Sequence, residues 1–271
     1  MPGGHRGADM SRTLRVVTYS AANAAADMRA IYTWRIWLFG WLGRMLAQAV
    51  FFTLLGRSAG SLSHTEYLAV GSCLMSSVIE CMAVIPSTTW ERAAGTLEFL
   101  AAAPSRPVWV FFGRSLQWPA SASVTTLVSM FTVGPLFGVA WRPSQVPALV
   151  GLIVLTSLST YCFGLLLAAL VLNANGARNL VANGVSLTMM IICGVQIPVE
   201  RWPAVVRVVA LALPPTWTLR AVRAVLANDG TTALAAAGAA AVLGVGWLVA
   251  ADVMFTMFLN RSRRTGRTDH F

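Results

Sequence analysis

Val146-Pro-Ala-Leu-Val-Gly-Leu-Ile-Val-Leu-Thr-Ser-Leu-Ser-Thr-Tyr-Cys-Phe-Gly-Leu-Leu-Leu-Ala-Ala-Leu-Val-Leu172 runs without one Asp, Glu, Arg, Lys or His. A helix of this length, rising about 1.5 Å per residue, exceeds the ~30 Å hydrocarbon core of a bilayer. The stretch therefore reads as a membrane span. Working outward, five further apolar runs stand at about 37–55, 67–86, 115–139, 179–197 and 232–259. The composition agrees: 56% of the 271 residues are hydrophobic and only 11% are charged, against about 25% charged in a soluble domain. Disorder is excluded, because it requires low hydrophobicity. No run shows the alternation of a membrane β-strand. The expected fold class is all-α, a polytopic membrane protein with six transmembrane helices.

The 20 basic residues are all arginine and face ten acids, for a net charge of +10. In a soluble protein that excess would suggest nucleic acid; here it reads as topology. With the N-terminus inside, thirteen arginines fall on the inner side and six on the outer, with Arg44 inside a span. Positive charge concentrates on cytosolic flanks and is drawn to anionic lipid there, so both termini are expected inside and no nucleic-acid partner is expected. Residues 1–36 read as a cytosolic segment, 37–260 as the transmembrane domain and 261–271 as a polar, disordered tail. Within the first, 11–35 is an amphipathic, interfacial helix: Leu14, Val17, Ala21, Ala24, Met28 and Ile31 recur at helical spacing. The polar, alanine-rich first thirty residues lack the pattern of a cleaved signal. Cys73, Cys81, Cys162 and Cys193 lie inside apolar runs and His5, His64 and His270 are isolated; the cysteines read as small buried hydrophobes and no metal is expected.

Three ionisable residues fall within spans: Arg44, Glu80 and Asp252. Such groups cost several kcal/mol unless paired or wetted. Counted from the ends of their spans, all three lie about 10 Å above the inner boundary, and Arg44 is expected to pair with Glu80 or Asp252. Admitting cargo from the inner leaflet is a second role they could serve.

After the second span the chain reads Ser87-Thr-Thr-Trp-Glu-Arg-Ala-Ala-Gly-Thr-Leu-Glu-Phe-Leu-Ala-Ala-Ala-Pro104. Thr88 and Glu91 are spaced as a capping box, and Pro104 ends the helix. Trp90, Ala93, Ala94 and Leu97 form an apolar stripe, with Glu91, Gly95 and Glu98 on one flank and Arg92, Thr96 and Phe99 on another. The physical reading is a short helix along the cytosolic face, Phe99 offering an aromatic knob to a soluble partner. Glu91-Arg92-Ala-Ala-Gly95-Thr96-Leu97-Glu98-Phe-Leu100, followed by Pro104 and Arg106, resembles the segment that follows the second span of ABC-2-type export permeases. The departure is Ala93, where that family is often basic. The resemblance implies a coupling helix, Trp90, Glu91, Arg92, Gly95, Thr96, Glu98 and Phe99, docking on an ATP-hydrolysing subunit.

A second resemblance covers Gly194-Val-Gln-Ile-Pro198-Val-Glu200-Arg-Trp202-Pro203 and the return Pro214-Pro215-Thr216. It is similar to the stretch between the fifth and sixth spans of the same permeases. It implies an extracellular re-entrant hairpin carrying Pro198, Glu200, Trp202, Pro203 and Pro215. The residues alone agree in part: Pro198 and Pro203 break helices, and Trp202 and Trp217 suit an interfacial belt.

The family further implies that this chain is half a transporter. It would form a homodimer or heterodimer with a second permease, in contact with membrane lipid, and two copies of an ABC ATPase subunit would drive it. No catalytic residue, cofactor or metal is expected in the chain itself; ATP and Mg would be bound by the partner ATPase, since the P-loop lysine cannot exist in a chain without lysine. Drug, antibiotic, lipid or small-peptide efflux across a bacterial cell membrane follows from the same resemblance. The alternatives are an ion-coupled carrier and an intramembrane enzyme using Glu80 or Asp252.

Overall fold

The computed structural model describes residues 14–24, 26, 33, 35–58, 60–93, 107–172 and 176–265. Among these the regular elements are all helical. Residues 14–24 form a helix. A π-helical stretch, Ile36–Leu42, leads into α1 (Gly43–Ser58). There follow α2 (Leu62–Cys81), α3 (Val84–Ala93), α4 (Pro107–Arg114), α5 (Gln117–Leu136), α6 (Val146–Val171), α7 (Arg178–Ile192), α8 (Ala204–Leu211), α9 (Pro214–Leu226) and α10 (Gly230–Thr265).

Local chemistry explains the breaks. Ser61 caps α2 by accepting from the His64 N–H at 3.2 Å. Between α2 and α3 the helix yields at Met82–Ala83. The cause is Pro86: its ring would collide with the carbonyl four residues back, at Met82. Pro214 and Pro215 occupy the first turn of α9, where a missing N–H costs nothing. α8 and α9 meet at 84°. Thr216 Oγ1 donates to Ala210 O at 2.5 Å and Trp217 Nε1 to Leu211 O at 2.8 Å, so side chains satisfy the last carbonyls of α8 and hold the bend.

Four helical stretches are long and apolar enough to cross a membrane: Ile36–Ser58, Leu62–Thr88, Val146–Val171 and Gly230–Phe258. They match four of the expected spans. The remaining two are present as helices but differ in character. α5 interleaves its apolar residues with Ser121, Ser123, Thr125, Thr126, Ser129 and Thr132. α7 has 15 residues, about 22 Å of helix, and ends where Gly194 takes φ +85°. The chain is a multi-pass membrane protein.

Burial ranks the helices. Of the most apolar window of Leu62–Thr88, 83% is buried against the rest of the chain, and of α6 67%, but only 22% for the first and last spans. α2 and α6 are thus the centre, with α5 between them and α10 and α9 against α6. Hydroxyls stitch this centre: Ser157 Oγ on α6 meets Ser77 Oγ of α2 at 2.7 Å and Ser123 Oγ of α5 at 3.0 Å. In an apolar solvent such bonds and small-residue contacts hold helices together, because hydrophobic burial adds nothing. All four cysteines are free and buried, as expected.

The N-cap of α10 yields a prediction. Asp229 Oδ1 accepts from Thr232 N at 3.0 Å and Thr231 Oγ1 at 2.8 Å, and these bonds pull its carboxyl down to about 2. The unfolded value is about 3.9. A depressed acid stabilises the fold above the unfolded value and loses that contribution as pH falls through the folded one. Asp229→Ala should therefore unfold at a lower temperature than wild type near neutral pH, the gap closing between about pH 4 and pH 2 in a thermal-unfolding series.

Candidate functional site

The first span opens with the π-helical turns Ile36–Leu42, a form concentrated at functional sites. Trp37 and Trp41, four residues apart and so on one helix face, line a common cavity of about 240 Å³ with Ile36, Gly40, Glu80, Trp118 and Ser121. Glu80 lies near the end of α2; Trp118 and Ser121 lie in the first turns of α5. The pocket is therefore built where three helices begin or end close together.

Glu80 is 1% exposed. Its Oε1 accepts a hydrogen bond from Ser121 Oγ, which itself accepts from Trp37 Nε1 at 3.0 Å. Glu80 Oε2 is buried, and Trp41 and Thr125 bring two further donors to the same carboxylate.

The ion pair expected of Arg44 takes a looser form. Arg44 is exposed, its guanidinium lies 5.0 Å from the Trp41 ring centroid, and it reaches Glu80 only through its field. The reason is steric: Ser121 and the indoles already occupy the space about the carboxylate. Asp252 stands half-buried on α10, away from the pocket lining.

The pocket is wired to the segment after the second span. Trp118 Nε1 donates to Ser87 Oγ of α3 at 3.0 Å. Trp90, Glu91 and Arg92 fall in α3; Gly95, Thr96, Glu98 and Phe99 lie outside the described residues. The expected capping box at Thr88 is corrected: α3 begins at Val84, so Thr88 is a mid-helix, buried residue. Pro86 moved the helix start by breaking the chain earlier. On the far side of the same segment, α4 approaches the N-terminal helix so closely that a Cβ on Gly113 would lie 2.7 Å from Val17 O.

At the other end of the molecule, Pro198 precedes a short 3₁₀ turn, Val199–Arg201, and Pro203 caps α8. Glu200 pairs with Arg220 at 3.4 Å, Trp202 sits half-buried and Pro215 is buried in α9. Arg223 of α9 stacks on the Tyr67 ring at 3.5 Å, and Tyr67 Oη donates to Gly194 O at 2.8 Å. A proline-broken, two-helix unit thus rests on the N-terminal end of α2.

This succession of elements is matched by a family model described as ABC-2 type transporter, over residues 24–227. The chain belongs to the ABC-2 type transporter family. Comparison with curated proteins finds no match. As an ABC-2 permease it is the membrane subunit of an ABC transporter, a class that works with an ABC ATPase. Its role is transport.

Sequence reasoning singled out Glu80 but missed Trp37, Trp41, Trp118 and Ser121. The one available signal was the pair Trp37 and Trp41, four apart. What that pair faced depended on Trp118 and Ser121 of α5, which local spacing does not reveal.

Proposed function

We propose that this permease is half of an ATP-driven exporter of amphiphilic molecules, such as drugs, antibiotics, lipids or small peptides, in a bacterial plasma membrane. Six crossings place both termini inside, α5 and α7 crossing although less apolar or shorter than the rest. The segment from 90 to 104 is the coupling element, and Trp90, Glu91, Arg92, Gly95, Thr96, Glu98 and Phe99 take the push of an ATPase that holds ATP and Mg. Two ATPases and a second permease, identical or similar, complete the assembly. The outward-facing first and last spans, only 22% buried in their apolar windows, are free to meet lipid or that second permease. The hairpin of α8 and α9, carrying Pro198, Glu200, Trp202, Pro203 and Pro215, caps the outer end as a re-entrant element.

One observation carries the mechanical part. Trp118 Nε1 holds Ser87 Oγ at 3.0 Å, so the helix that runs into the coupling segment is bonded to a wall of the pocket. A push on α3 is transmitted to α5 through that bond and through α2, with which α3 shares one span. Closure of the ATPases would move the inner ends of these helices as a unit.

The test is co-purification of the permease with a candidate ABC ATPase. Glu91→Ala combined with Glu98→Ala should lower recovered complex and stimulated ATP hydrolysis by about 10-fold, the scale set by losing two desolvated charges at an interface. Unchanged assembly, hydrolysis and export would remove the coupling role.

A further inference from the structure

The helices that enter and leave the coupling element come to rest on one turn of α6. On the leaving side, α4 starts at Pro107, three residues after Pro104. Tyr161 of α6, fully buried, donates from Oη to Phe112 O at 2.8 Å and lies 2.7 Å from Ser115 Oγ. Ser115 Oγ in turn reaches Phe111 O at 2.6 Å. Side chains thus hold two of the last carbonyls of α4, and one of those side chains belongs to another helix. The Phe112 ring stands edge-on to Tyr161 at 5.3 Å, and Phe111 stacks on Phe255 of α10 at 4.7 Å. On the entering side, α3 starts against Gly164: a Cβ there would lie 2.7 Å from Val84 Cγ1 and 3.1 Å from Met82 Cε. Tyr161 and Gly164 are three positions apart, neighbours on one helix face. The bond from Trp118 Nε1 to Ser87 Oγ then ties the two arms to each other.

These contacts close a frame that runs from α3 to α5, through Ser115 to α4, on to α6 and back to α3. Packed interiors yield little, so a push on a closed frame turns it about its support. That support is α6, the helix at the centre of the bundle. We propose that the Tyr161–Gly164 turn of α6 is the pivot of the coupling element, and that Tyr161 is a positioning residue that sets the angle of α4. The ring alone would fill space. The hydroxyl adds direction, because a hydrogen bond weakens steeply when it is bent and a ring contact does not. Through the stack of Phe111 on Phe255 the same turn of α4 reaches α10. The pivot rests on the coupling reading above and names the part of the bundle that receives the push.

The full chain is assembled with a candidate ABC ATPase in phospholipid nanodiscs, and thermal midpoint, recovered complex and stimulated ATP hydrolysis per recovered complex are measured. Tyr161→Phe keeps the ring and loses the hydroxyl. It should lower stimulated hydrolysis by about 5-fold, within the range by which residues of a coupled network act, with complex recovery unchanged. Ser115→Ala, which removes the neighbouring hydroxyl, should act in the same direction. Tyr67→Phe is the control: it removes a hydroxyl-to-carbonyl bond of the same 2.8 Å length, to Gly194 O, near the other end of α2. It should lower the thermal midpoint to a similar extent and leave stimulated hydrolysis unchanged. Wild-type stimulation in Tyr161→Phe, or an equal loss in Tyr67→Phe, would overturn the pivot and leave the coupling role of Glu91 and Glu98 standing. A wild-type complex that shows no stimulated hydrolysis would remove the coupling reading and the pivot with it.

Discussion

Gly71→Leu is expected to abolish accumulation of the folded permease, and Gly71→Ala to lower its thermal midpoint in detergent sharply. A Cβ on Gly71 would lie 3.0 Å from the carbonyl carbon of Val195 and 3.2 Å from its Cα, and closer still to its oxygen. Backbone meets backbone here, so no side chain can swing away. Nor can the 193–197 segment retreat freely: Gly194 holds φ +85°, and Tyr67 Oη grips its carbonyl from the same face of α2. Overpacking of this kind costs about 1–3 kcal/mol for a methyl group and more for a larger side chain, against a total stability of about 5–15 kcal/mol. Gly151→Ala is the matched control, since nothing lies within 4 Å of its Cβ position. If Gly71→Ala melts like Gly151→Ala, the close approach of α2 to the end of α7 is wrong.

Arg223→Leu should destabilise the packing of α9 on α2 by about 2–4 kcal/mol, the sum of a desolvated cation–π contact and a charge-assisted hydrogen bond. The guanidinium lies 3.5 Å from the Tyr67 ring centroid, and Nη2 donates to Tyr67 O at 3.4 Å. Arg223→Lys should not rescue it, because an ammonium lacks the planar face that stacks on the ring. Tyr67→Phe keeps the ring and loses only the bond to Gly194 O, so it should cost about 1 kcal/mol. Equal losses for Tyr67→Phe and Arg223→Leu in a denaturation series would show that stacking contributes nothing.

Both predictions concern contacts between residues more than a hundred positions apart, and neither was legible in the sequence. The spans were. The absence of charge over 146–172, and its restriction to one charged residue each in 37–55, 67–86 and 232–259, is a local property, and the hydrocarbon core imposes it residue by residue. The family was legible for a related reason: Glu91, Arg92, Gly95, Thr96, Glu98 and Pro104 are contiguous enough to be recognised together. Thr88 shows where local reading misled. Its spacing to Glu91 suited a cap, but Pro86 had already set the helix start at Val84. Arg44 and Glu80 stood out in the sequence as ionisable residues within apolar runs. What depth alone did not reveal was that Ser121, from a third helix, would reach the carboxylate first.

Sequence alone determined that this chain dissolves in lipid, where its four most apolar helices run, and to which transporter family it belongs, because each of those follows from the order and spacing of neighbours. Only the tertiary structure decided that Glu80 is buried beside Ser121, Trp37, Trp41 and Trp118, and that Trp118 fastens this pocket to α3. Those relations join helices whose approach is set by small residues and hydroxyls across several interfaces at once, and no single stretch of chain carries that information.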